Sequence, residues 1–110
     1  MRYGLAMMFL FLAALLEVSG DALMRAGINS TMLGRRSLFF AAGSIVLAAY
    51  GYTINAPSWD FGRLLGTYIA FFFVISQAIA WVAFGHKPTL GIACGGTLIV
   101  AGGLIISLLK

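Results

Sequence analysis

The chain has 110 residues, of which 62% are hydrophobic and 9% charged, and its formal net charge is +4. A water-soluble domain carries about one quarter charged residues, so this composition excludes a soluble globular enzyme or binding domain. The seven basic residues are scattered, with Arg35-Arg36 the one adjacent pair. That spacing argues against nucleic-acid binding and suits anchors flanking membrane helices.

Crossing about 30 Å of hydrocarbon takes about 20 apolar residues in a helix. Four such stretches nearly exhaust the sequence. The expected fold is all-α and integral to the membrane: one domain over 1–110, a bundle of four transmembrane helices.

Helix 1 is expected over about 3–26. Residues 1–19 also have the outline of a secretory signal, but Glu17 interrupts the apolar run that a signal core needs, and the helix continues through Leu23 and Met24. Gly27, Asn29, Ser30, Thr31 and Gly34 then form a polar connection ending in Arg35-Arg36. Helix 2 is expected over about 37–54, with Tyr50 and Tyr52 near its end. Asn55, Pro57 and Ser58 break it, and Trp59 has the character of an interfacial anchor. Helix 3 follows over about 64–84, with Ser76-Gln77 as polar glue to a neighbouring helix. The turn GHKPT (85–89) leads to helix 4, about 90–109, with Lys110 as terminal anchor.

Four spans place Arg2, Arg63 and Lys110 on one side of the bilayer and Arg25, Arg35, Arg36 and Lys87 on the other. Lys and Arg asymmetry sets orientation; a chain this balanced inserts either way and suits an antiparallel dimer. Four short helices also have too little interior to surround a polar pathway alone. Hence a dimer is expected.

The chemistry concentrates in helix 1. Glu17 and Asp21 are four residues apart on one helical face, and Arg25 extends the stripe. An ionised carboxylate in hydrocarbon costs about 2.5–3.5 kcal/mol on insertion scales and usually faces a cavity or a partner. An acid in such a cavity holds either a proton or a cation, which is what coupled antiport requires. The structural alternative for Glu17 is a carboxylate bonded to Ser or Thr of a neighbouring helix. For Asp21, a salt bridge to Arg25 is favoured over sharing the Glu17 cavity. Tyr50 and Tyr68 are the aromatics placed near that cavity, since a phenol bonds a carboxylate or faces a cation.

Helix 4 carries Gly91, Gly95, Gly96, Gly102 and Gly103, small residues that let helices approach closely in lipid. They are expected at a helix–helix interface, within or between subunits. Cys94 is expected to act as a small packing residue, and His86 to be solvated. No metal, cofactor or nucleophilic catalytic grouping is implied, so no enzyme activity is expected.

The stretch LEVSGDALMR (16–25) resembles the first helix of the small multidrug resistance family. Trp81, Phe84 and Gly85, followed by GTLIVAGGLIISLL (96–109), are similar to that family's third-helix exit and fourth helix. The resemblance implies antiparallel dimers that exchange protons for quaternary ammonium or guanidinium cations. It places the essential acid at Glu17 and a chamber aromatic at or near Tyr50. In GTYIAF (66–71), Tyr68 stands where that family usually has Trp, and the following Ser-Gly is absent. WDFGR (59–63) replaces the usual Pro-Gly entry to helix 3, and Asp21 is an added charge.

The expected function is therefore proton-coupled export of small organic cations from a bacterial or archaeal plasma (inner) membrane, by a homodimer or paralogue heterodimer. The alternative is a non-transporting accessory subunit held to other membrane subunits through helix 4.

Overall fold

Residues 2–109 are described by a computed structural model. In lipid no water bonds the peptide groups, so each crossing segment must satisfy its own backbone, and helices do so. The four are α1 (Tyr3–Ile28), α2 (Leu33–Ile54), α3 (Phe61–Phe84) and α4 (Leu90–Leu108), each long and apolar enough to cross a membrane. Lys110 and its anchoring role lie outside the described residues.

Two helix boundaries differ from the sequence expectation. The connection after α1 shrinks to residues 29–32, because Gly27 stays helical and packs against Phe39 and Phe40. Arg35 and Arg36 thus lie in the opening turn of α2, with the Arg36 guanidinium 5.5 Å from the Phe40 ring centroid. α3 likewise begins earlier, at Phe61, with Asp60 at its N-cap position. It ends at Gly85, whose φ of 71° is the left-handed conformation that glycine adopts without strain. There the Gly85 and His86 amides fold back onto the carbonyls of Trp81 and Ala80. Thr89 caps α4, accepting from the Ile92 amide at 3.3 Å.

The helices run up and down, and α1 is the centre. α2 and α3 both pack on α1, while α4 packs on α3. Among the described residues the backbones of α2 and α3 do not meet. The α-carbon envelope is thin, 50 × 34 × 18 Å. Small residues set the close approaches. A Cβ at Gly43 would come within 3.2 Å of the Gly20 carbonyl oxygen, and one at Gly20 would run into Leu47 at 2.6 Å. Ala6, Leu10, Ala13 and Ala14 are fully buried on α1, and Leu10, Ala13 and Ala14 pack with Ile54, Leu64, Tyr68 and Ile75.

One end of the bundle is tied by Tyr3, Trp59, Arg63 and Ser107. Tyr3 donates from its hydroxyl to Ser107 Oγ at 3.3 Å and its ring lies 5.8 Å from Trp59. The Arg63 guanidinium covers Trp59 at 4.3 Å and donates to the Ile106 and Ser107 carbonyls at 3.4 and 2.8 Å. Those carbonyls belong to the last turn of α4, and Arg63 acts as its cap.

Candidate functional site

Glu17 projects from α1 two turns beyond Leu10 and on the same side, because seven residues are nearly two helical turns. Leu10 is wholly buried. Glu17 is half-buried, and Asp21, one turn further, is exposed. The face of α1 that is core at Leu10 therefore becomes the floor of a cleft between α2 and α3 at Glu17. Their backbones stay apart here, but their side chains meet. The Tyr50 ring of α2 lies 5.8 Å from the Tyr68 ring of α3, inclined at 36°.

Tyr68 is the inner wall. It is 4% exposed, and its hydroxyl donates to Glu17 Oε1 at 2.6 Å. A hydrogen bond this short to a carboxylate is of the strong, charge-assisted class. Phe72, one turn along α3, supports the Tyr68 ring at 6.1 Å. The Tyr50 side chain also reaches the Glu17 carboxylate, as a second phenol partner. The carboxylate thus sits between two phenols and is only half-buried. The two phenol rings beside it offer π faces that attract cations. Tyr52, by contrast, is 83% exposed and takes no part.

Asp21 and Arg25 do not pair as the sequence reading favoured. Among the described residues no ion pair falls within 4.0 Å. Arg25 instead lies over the Phe84 ring, 5.4 Å from its centroid, and His86 stacks on that ring at 6.1 Å. The physical reason is position. Near the end of α1, Arg25 is exposed and the C-terminus of α3 brings an aromatic face beside it. Asp21, Arg25, Ser76 and His86 line a cavity of about 230 Å³ between α1 and α3. Ser76 donates to the Phe73 carbonyl within its own helix, so it is not the interhelical bond that the sequence suggested.

The helix-4 glycines divide into two faces. A Cβ at Gly96 would collide with the Phe73 ring, and one at Gly103 would lie 2.5 Å from Ala70 Cβ, so both serve the contact with α3. Gly95 and Gly102 meet nothing within 4 Å, and Gly91 only its neighbour Thr89 at 3.8 Å. Cys94 is exposed. Among the described residues no three His, Cys, Asp or Glu side chains gather as metal ligands.

A second cavity, about 330 Å³, lies among α1, α3 and α4 and is lined chiefly by apolar residues with Tyr3, Thr67 and Ser107. Thr67 is 3% exposed and its Oγ1 has no hydrogen-bond partner among the described residues. Sequence reasoning did not single out Thr67, Phe72 or Arg63. A hydroxyl at 67, one turn from Arg63 in an apolar helix, was the available signal for the first.

A UPF0060 membrane protein of Herpetosiphon aurantiacus is 31% identical to this chain over 104 residues, covering 92% of the chain and 91% of that protein. The chain belongs to the UPF0060 membrane protein family. Further UPF0060 membrane proteins from Streptomyces avermitilis (33% identical, 86% of the chain and 82% of the relative) and Saccharopolyspora erythraea (32%, 86% and 84%) have similar coverage. No family model and no solved structure matches the chain. The UPF0060 name places these relatives in a membrane and states no activity. The four spans and the bacterial relatives make this chain a membrane protein, and the family that the relatives show is UPF0060, not the small multidrug resistance family.

Proposed function

We propose that this UPF0060 protein is a proton-coupled antiporter that exports small organic cations through Glu17. The single observation that carries the reading is the Tyr68 hydroxyl donating to Glu17 Oε1 at 2.6 Å in a cleft walled by Tyr50 and Tyr68. A phenol donor holds the carboxylate in place whether it is ionised or, through its carbonyl oxygen, protonated. A proton and a cation then compete for the carboxylate. A proton arriving there releases the cation, and a cation arriving releases the proton. The resemblance of LEVSGDALMR to the small multidrug resistance first helix points the same way. Proteoliposomes carrying a pH gradient should take up a guanidinium or quaternary ammonium cation with the wild type and not with Glu17→Gln. Equal flux in both would refute the mechanism.

The working unit is proposed to be an antiparallel homodimer or paralogue heterodimer in the bacterial inner membrane. The thin single-chain slab supports this, because the Glu17 cleft is closed by α2 and α3 on two sides only. One observation favours the second reading, an accessory subunit. The Gly91, Gly95 and Gly102 face of α4 is open and would accept a foreign helix as readily as a like one. Extraction in mild detergent separates the two. A bare dimer supports the antiporter, and unrelated chains in fixed ratio support the accessory role.

A further inference from the structure

The cavity between the C-terminal halves of α1 and α3 has its own charge and its own aromatic surface. Asp21 supplies the charge and is exposed, with no cation within 4.0 Å among the described residues. Phe72 and Phe84 supply ring faces. The Phe84 face already holds a cation, the Arg25 guanidinium at 5.4 Å. Phe72 also links this cavity to the Glu17 cleft, since it packs on Tyr68 at 6.1 Å while lining the cavity. The cavity lies where α3 ends, beside the turn that carries His86.

We infer that this cavity is an outer binding site for small organic cations, with Asp21 as its counter-charge and Phe84 as its ring face, occupied in the absence of ligand by Arg25. The inference rests on the cation-exchange reading and adds a recruitment step to it. A guanidinium or alkylammonium ion displaces Arg25 from Phe84, and the long exposed Arg25 side chain turns to water. The ion then pairs with Asp21 about 6 Å from Glu17, the spacing of neighbouring positions on a helix face. At about 230 Å³ the cavity is smaller than the roughly 300 Å³ at which drug-sized pockets begin. The cavity therefore has room for a compact cation. The charged and titratable groups around Asp21 are Glu17 and Arg25 of α1, Tyr50 of α2 and His86 after α3.

Calorimetric titration of the purified, detergent-solubilised protein with phenylguanidinium tests this. Glu17→Gln should retain one saturable binding event, weakened about tenfold or more in Glu17→Gln/Asp21→Asn, the size expected for loss of one ion-pair partner beside a ring. Glu17→Gln/Arg25→Gln should bind severalfold tighter than Glu17→Gln, because the built-in competitor is gone. Loss of all binding in Glu17→Gln, residual binding indifferent to Asp21, or weaker binding without Arg25 would each overturn the outer site. The Glu17 reading fails separately, if Asp21→Asn shows no binding event that depends on Glu17.

Discussion

Gly102 and Gly103 are adjacent, yet the same substitution should affect them oppositely. A Cβ at Gly103 would lie 2.5 Å from Ala70 Cβ and 3.7 Å from Ala70 Cα, whereas ordinary contacts begin at 3.4 Å. Ala70 has no side-chain torsion to move its Cβ away, so α3 and α4 must part locally by about an ångström, and overpacking of this kind costs about 1–3 kcal/mol. Gly102 meets nothing within 4 Å. Both variants gain about 1 kcal/mol of helix propensity on Gly→Ala, so the comparison cancels that gain and isolates packing. Gly103→Ala should therefore be about 1–3 kcal/mol less stable than Gly102→Ala. The assay is unfolding by sodium dodecyl sulfate in mixed micelles, followed by the fluorescence of Trp59 and Trp81. Low, constant protein concentration keeps any contribution from assembly small. Gly103→Ala as stable as Gly102→Ala, or more so, would refute the assignment of Gly103 to the α3 contact.

Tyr68→Phe keeps the ring but removes the donor to Glu17 Oε1. Hydrogen bonds to charged groups contribute about 1.5–3 kcal/mol, so cation exchange in proteoliposomes should fall about tenfold or more, while the exposed Tyr52→Phe stays at the wild-type rate. Arg63→Ala removes two bonds to the last carbonyls of α4 and the stacking on Trp59. It should lower stability by about 1–2 kcal/mol and speed amide exchange in the final turn of α4. Unchanged exchange there would show that the cap is dispensable.

Lipid solvent made most of the fold legible. With so few charges, four apolar runs had to be helices, because no other open segment satisfies its backbone in hydrocarbon. The same reasoning picked out Glu17 as an acid that needs a purpose. Boundaries were harder. Gly27 looked like a loop residue, and only its contact with Phe39 and Phe40 explains why the helix runs through it. The Asp21–Arg25 pair failed for a similar reason. Spacing along α1 permits the bond, but the position of Phe84 comes from another helix.

The sequence by itself determined that this chain belongs in a membrane, that it has four helices long enough to cross one, and that an acid lies midway along the first. These follow from composition and period, which depend on neighbours along the chain. Only the tertiary structure decided that Tyr68 bonds Glu17, that Arg25 leaves Asp21 for an aromatic ring, and which glycines of α4 face α3. Each of those depends on the rotation and depth at which one helix meets another. In lipid that choice is made by shape and hydrogen bonding and not by hydrophobicity, because every apolar face is equally soluble there.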